Sequence, residues 1–230
     1  REQRNLSGSK EGCNEGDCEA CTVIVLDKEI IRPLNACILF LGQLNGKAIR
    51  TVEAVGEGGH LHPVQSEMVE KHGSQCGFCT PGIVTSLVAA QINGRSDHEN
   101  ILAGNLCRCT GYAPIIKAAE TAAVLSEPTW LREDRKKIRD ISASPNANWP
   151  QSSDEIAALL TANPKTRLIA GATDVALCVT KGLQDVSPSA FLANVEDLSQ
   201  IEDRQGEYVI GALVTIEALF NWAKVSCRPY

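Results

Sequence analysis

The chain has 230 residues, 22 Lys and Arg against 28 Asp and Glu for a net charge of −6, and 43% hydrophobic side chains of which few are aromatic. That length allows one to three domains with aliphatic cores, and the acidic balance excludes a generic nucleic-acid role, because phosphate binding needs a basic surface. No stretch approaches the roughly 20 apolar residues of a membrane helix, and no apolar signal segment follows Arg1-Glu2-Gln3-Arg4, so the expected location is cytoplasmic.

Residues 1–55 read as β-rich. Cys21-Thr22-Val23-Ile24-Val25-Leu26 is a β-branched run closed by Asp27, and Ile30–Arg32 and Ala48–Val52 have the same character. Between them the residues from Ala36 to Leu44 predict a helix that stops at Asn45-Gly46. Residues 56–126 read as four short helices. Pro63 opens the first, which runs to Lys71, with Gly73 as its stop. Thr80 as N-cap with Pro81 behind it opens the second, which ends at Asn93-Gly94. Ser96 and Glu99 form a capping box for the third, through Leu102. Pro114 opens the fourth, with Ile115, Ile116, Ala119, Ala122 and Ala123 on one face.

Residues 127–150, with the charged run Arg132–Arg139, read as a solvated linker. Residues 151–230 mix helix and strand. Ser152 and Glu155 cap a helix through Leu160, Arg167–Ala170 and Tyr208–Ile210 are strands, and Thr215 caps a last helix to Lys224. These elements are too few for an independent α/β core, so this unit is expected to be incomplete.

The ten cysteines are distributed unevenly. Cys178 and Cys227 stand alone and read as small buried hydrophobes. Cys13, Cys18, Cys21 and Cys37 follow C-x₄-C-x₂-C with a distant fourth, the spacing of plant-type [2Fe–2S] loops. Soft thiolates suit iron, and the loop Gly12–Cys18 can turn backbone N–H groups toward sulfur. Structural zinc prefers two matched C-x₂₋₄-C hooks, which this group lacks. Cys76 and Cys79 with Cys107 and Cys109 form the second group. By spacing alone it is open between zinc and an iron–sulfur cluster. Both its halves precede helix starts, where thiolates and an anionic cluster are stabilised. Gly56-Glu57-Gly58-Gly59 has neither the spacing nor the flanks of a dinucleotide fingerprint. His60 and His62 are loop histidines and read as non-ligating.

Gln75-Cys76-Gly77-Phe78-Cys79-Thr80-Pro81-Gly82, together with Gly104-Asn105-Leu106-Cys107-Arg108-Cys109-Thr110-Gly111-Tyr112, resembles the second-cluster signature of the molybdenum hydroxylases. Lys10–Cys13 through Cys21-Thr22 resembles their ferredoxin loop. His62-Pro63-Val64-Gln65 and Ala113-Pro114-Ile115 add to the match, which is especially similar to the small iron–sulfur and flavin subunit of the bacterial xanthine dehydrogenase branch.

The resemblance implies an α+β fold. A β-grasp ferredoxin-like domain (1–55), with its N-terminal strands missing, is followed by a four-helix [2Fe–2S] domain (56–126), a linker (127–150) and the first part of an α+β FAD-binding domain (151–230). It implies two [2Fe–2S] clusters, one on Cys13, Cys18, Cys21 and Cys37 and one on Cys76, Cys79, Cys107 and Cys109. It implies FAD at Leu168, Ile169, Ala170, Gly171, Ala172, Thr173, Asp174 and Val175, in a site this chain leaves incomplete. Ile210–Thr215 resembles a later strand and turn of the same domain.

The implied role is electron relay during purine hydroxylation, with molybdenum–pterin and substrate on a large partner subunit. Electrons would pass through both clusters to FAD and NAD in a heterotetramer of two small and two large subunits. No residue of this chain acts as acid, base or nucleophile. The same module in an aldehyde-, nicotinate- or carbon-monoxide-oxidising relative is the first alternative, and a zinc-stabilised interaction module without redox function is the second. Further sequence is expected before Arg1 and after Tyr230. The family pattern has glycine where this chain has Glu19. If that position takes positive φ, a side chain there costs about 1–2 kcal/mol and reshapes the first site.

Overall fold

The computed structural model describes residues 1–125, 127–141 and 149–226. The chain forms two compact units. One takes in Arg1–Ser144 and Ala176–Leu183, and the other takes in Pro145–Val175 and Gln184–Tyr230.

The first unit begins with a three-stranded antiparallel sheet. Strand β1 (Thr22–Asp27) lies between β2 (Ile30–Asn35) and β3 (Ala48–Arg50). It pairs Thr22 with Asn35 on one side and Ile24 with Arg50 on the other. Thr22 to Leu26 are all buried, so β1 is an apolar run covered on both faces, and its side chains do not alternate between core and solvent. Pro33 falls on β2, an outer strand of this sheet, where proline is tolerated.

The helix expected from Ala36 to Leu44 is instead two 3₁₀ turns, Ala36–Ile38 and Leu41–Leu44. Asn35 and Phe40 at their starts are extended, and Leu39 between them is extended as well. No continuous ladder forms, and the chain turns early enough to bring Cys37 back beside Cys21.

The helices follow: α1 (Pro63–Glu70), α2 (Thr80–Ile92), α3 (His98–Ile101) and α4 (Ala113–Thr121). His62 caps α1, its Nδ1 accepting from Val64 N–H at 3.2 Å, while Gln65 Oε1 accepts from His62 N–H at 2.8 Å. The cap of α2 is Cys79, one residue earlier than expected. Thr80 instead shares a hydroxyl hydrogen bond with Ser74 at 2.6 Å. The expected Ser96–Glu99 box is absent. Asp97 stands at the cap of α3, held in a fork with Arg95 at 2.7 and 3.0 Å.

Every residue of α2 from Pro81 to Ala90 is buried. A helix apolar on all faces belongs in a core, and one continuous core runs from Ile24, Leu26 and Ile31 of the sheet through Ile83, Leu87 and Val88 to Ile115 and Ala118.

The charged run of the expected linker is a helix, α5 (Thr129–Asp140). Trp130, Leu131, Asp134 and Ile138 are buried, a stripe at helical spacing inside a sequence whose average is strongly polar. Glu57 caps it by accepting from Trp130 N–H at 3.0 Å, and Trp130 Nε1 donates to Val55 O at 3.3 Å. Arg50 lies over the Trp130 ring at 4.3 Å and forks onto Asp134 at 2.6 and 3.1 Å.

The second unit holds α6 (Ser153–Ala162), the parallel pair β4 (Arg167–Ile169) and β5 (Ser189–Phe191), the hairpin β6 (Ile201–Arg204) and β7 (Glu207–Ile210), and α8 (Ile216–Ser226). Between β4 and β5 in sequence comes α7 (Val175–Thr180), which beyond Val175 belongs to the first unit. Ser152 caps α6, its Oγ accepting from Glu155 N–H at 3.2 Å, and Thr215 caps α8 through Ala218 N–H at 3.1 Å, as the sequence predicts. The core of this unit is small: Ile156, Leu192 and Val195, with Leu160, Leu168, Leu198 and Leu213 against them. Cys227 lies outside the described residues. Among those residues no helix is long and apolar enough to cross a membrane.

Candidate metal centres

The loop Gly12–Cys21 precedes β1 and returns on itself through left-handed residues. Asn14 and Gly16 have φ of 56° and 82°, and Glu19 has φ of 56°. Cys18 N–H and Asp17 N–H both point at Cys13 Sγ, at 3.3 Å. Cys13 N–H points at Cys18 Sγ at 3.4 Å, and Cys37 N–H at Cys21 Sγ at 3.4 Å. Burial raises the Cys13 thiol, but the N–H groups of Glu15, Cys18 and Asp17 outweigh it and hold it at about 7. For Cys37 the balance reverses: burial, then the neighbouring Cys21 thiol, outweighs the Gly16 N–H and pushes it up to about 12.

The second group gathers around the start of α2 and the loop that leads to α4. Cys76 and Cys109 are exposed with their Sγ atoms 3.5 Å apart. Cys107 is buried and interacts with Cys79. The Phe78 N–H lowers Cys76, whereas its hydrogen bond to Cys76 raises Cys109. Burial, then Cys107, pushes Cys79 up to about 12. Burial would raise Cys107, but the Thr110 hydroxyl at 3.1 Å and nearby N–H groups leave it lowered.

Each group therefore divides into two thiol pairs, Cys13 with Cys18 and Cys21 with Cys37, Cys76 with Cys109 and Cys79 with Cys107. Four thiolates would hold a [2Fe–2S] cluster, and each group brings four together in two pairs. Among the described residues no three His, Cys, Asp or Glu converge on a point suited to one metal ion. Inward N–H groups and a poised thiolate in each group fit an anionic cluster. Asn105 adds a further mark. Its side chain is 1% exposed and neither amide atom has a partner, two residues ahead of Cys107.

Several residues that shape these loops lie inside the quoted motifs, but spacing alone does not reveal their contacts. Tyr112 (φ 68°) folds the second loop back on itself, its hydroxyl donating to Asn105 O at 2.7 Å and accepting from Cys107 N–H at 2.8 Å. The two loops also touch each other. Leu106 N–H donates to Cys18 O at 3.2 Å. A Cβ on Gly12 would lie 3.0 Å from the Phe78 ring, and one on Gly104 would lie 2.1 Å from Glu19 Oε1. A Cβ on Gly82 would lie 2.0 Å from Glu19 O. The expected positive φ at Glu19 is present, and burial raises its carboxyl.

Leu168 and Ile169 end β4, and Ala170 to Asp174 form the loop between β4 and α7, followed by Val175. Ala172 is left-handed at φ 67°, and nothing lies within 4 Å of a Cβ built on Gly171. An open glycine turn after a strand gives a phosphate group access to backbone N–H. His62 is a buried helix cap, as described above, and His60 is exposed in a turn with Glu57.

Residues 51–120 match the family described as a [2Fe-2S] binding domain, and residues 143–228 match the FAD binding domain in molybdopterin dehydrogenase. The first match contains Cys76, Cys79, Cys107 and Cys109, and the second contains the β4–α7 loop. The chain is 49% identical over 132 residues to the xanthine dehydrogenase of Blastobotrys adeninivorans, which covers 53% of this chain and 9% of that protein. It is 44% identical over 133 residues to the xanthine dehydrogenase/oxidase of Mus musculus, covering 54% and 10%. The chain thus spans about a tenth of the length of these relatives. The structure of quinoline 2-oxidoreductase from Pseudomonas putida 86 superposes with a TM-score of 0.48 at 32% identity, over 60% of this chain and 78% of that one.

Proposed function

Since the chain belongs to the molybdenum hydroxylase family, we propose that it is an electron-transfer module of an oxidoreductase. It carries one [2Fe–2S] cluster on Cys13, Cys18, Cys21 and Cys37 and another on Cys76, Cys79, Cys107 and Cys109. The observation that carries this reading is the contact between the two loops. Leu106 adjoins Cys107, and its N–H bonds the carbonyl of Cys18 at 3.2 Å. One hydrogen bond and a few covalent bonds then separate a ligand of one cluster from a ligand of the other, a short path for an electron.

The clusters would supply one-electron storage when bound. The chain's own residues hold them, shield them and set their charge. Cys76 and Cys109 lie at the surface, which suits electron entry there from a molybdenum–pterin centre on a partner subunit. Cys21 and Cys37 are more enclosed. Onward transfer to FAD would use the 168–175 loop, with NAD as final acceptor. We assign residues 1–55 and 56–126 as the two cluster-bearing segments and 151–230 as flavin-binding. The parent enzyme is read as a cytoplasmic xanthine dehydrogenase in which two small and two large subunits assemble and the large one binds purine. An aldehyde-, nicotinate- or carbon-monoxide-oxidising parent would use the same module. The thiol pairing favours clusters over the zinc alternative.

The test is iron and acid-labile sulfide analysis of protein purified without oxygen, with low-temperature EPR after dithionite reduction. Two clusters per chain and two distinct rhombic signals are expected. Zinc in place of iron would sink the relay.

A further inference from the structure

The loop that carries the first thiol group is strongly acidic: Glu11, Glu15, Asp17 and Glu19 lie among Cys13, Cys18 and Cys21. The cluster proposed there is itself anionic, and it becomes more negative by one charge when an electron arrives. Lys10, the basic residue within this stretch, is turned away, its ammonium donating to Ser7 O at 2.6 Å and Gly8 O at 3.0 Å. The cation that meets the loop comes from far along the sequence. Lys181, just after α7, donates to Cys13 O at 2.5 Å and faces Glu15 Oε2 at 3.5 Å.

We propose that Lys181 is a positioning residue for the first cluster, holding the Cys13–Glu15 turn in place and raising the potential of that cluster. This rests on the two-cluster reading above and deepens it. The physical argument is direct. A positive charge beside a site favours the state with more negative charge there, and the effect falls as one over distance. Cys13 is a proposed ligand, so its carbonyl is a few bonds from iron, and polarising it draws electron density from the thiolate side. Second-shell contacts of this type tune iron–sulfur potentials. Lys181 also offsets Glu15, whose carboxylate would otherwise act on the cluster with the opposite sign. Both side chains are about half exposed, so the effect is screened by salt. Lys181 lies in the stretch that matches the flavin-binding family, so the segment expected to hold the electron acceptor supplies the charge that draws the electron to the adjacent cluster.

The experiment is an EPR-monitored redox titration of cluster-loaded protein, comparing wild type with Lys181→Met, Lys181→Arg and the double variant Lys181→Met/Glu15→Gln. The first-cluster signal is assigned as the one that Cys37→Ser alters. Lys181→Met should lower the potential of that cluster and leave the second unchanged, so the second serves as an internal control for folding. Lys181→Arg should restore the wild-type value, and the double variant should recover part of the loss. Raising the salt should narrow the gap between wild type and Lys181→Met. A first-cluster potential unmoved in Lys181→Met, or an equal shift in both clusters, would overturn the role of Lys181 while leaving the relay standing. Wild-type protein with no cluster at the first site would sink the relay itself, and this role with it.

Discussion

The two units differ in how completely they bury their apolar surface. In the first, sheet and helices share one core, and α2 is enclosed on all sides. In the second, all of β7 is exposed and α8 has no buried residue. Tyr208, Ile210, Ile216 and Phe220 remain open within the unit's own packing, though Tyr208 meets Trp222 edge-on at 4.8 Å. Both thiol groups belong to the well-packed unit. Cluster ligands must be held to within a fraction of an ångström, and a dense core provides that. A phosphate-holding loop works through backbone N–H groups and needs less support.

The comparison breaks most readily at the core. Ile83 is fully buried on α2, and Ile83→Ala should cost about 2–5 kcal/mol. Phe220→Ala on α8 should stay within about 0.5 kcal/mol. Urea unfolding of the two variants checks the contrast, and similar losses would mean that α8 is as well packed as α2.

A smaller effect is expected where the two loops meet. Gly82→Ala drives its Cβ into the backbone oxygen of Glu19, which cannot step aside, and overpacking of this kind costs about 1–3 kcal/mol. Gly104→Ala meets only the end of the Glu19 side chain, which can rotate away. The first-cluster EPR signal should therefore change in Gly82→Ala and stay close to wild type in Gly104→Ala. The reverse order would show that the Glu19 carboxylate, rather than its backbone, sets the loop.

The smallest effect concerns acid. Burial lowers the pKa of His62 in the fold, so below its unfolded value of about 6.5 the unfolded chain binds a proton that the native chain resists. Stability from this group is fully present above that pH and is lost as pH falls through the lowered native value. His62→Asn keeps an acceptor for Val64 N–H and removes the titration. Thermal melts from neutral to mildly acidic pH should show a shallower decline in the variant.

The sequence shows the two thiol groups plainly and hides most of what arranges them. Thiol spacing is local, so both groups are legible, as are the first turns of the helices that contain Pro63, Pro81 and Pro114. α5 is masked because four buried residues sit among eight polar or charged positions, and an average over the run reports the majority. The 36–44 stretch fails for the opposite reason: its apolar residues permit a helix that tertiary packing overrides. The contacts of Phe78 with Gly12, Leu106 with Cys18 and Lys181 with Cys13 join residues far apart in the chain, and no periodicity announces them.

The exposure of Cys76 and Cys109 also bears on repair. Their sulfurs are neighbours open to water, and two such thiols give two electrons and two protons to an oxidant and close as a disulfide. If Cys76 and Cys109 hold a cluster as proposed, a site emptied in air has a fate that competes with refilling. Once sealed it cannot accept iron until a reductant reopens it, whereas the more enclosed Cys21 and Cys37 are harder for an oxidant to reach. Damage and rescue would begin at the outer centre, and a cell short of reducing power would lose the relay from that end.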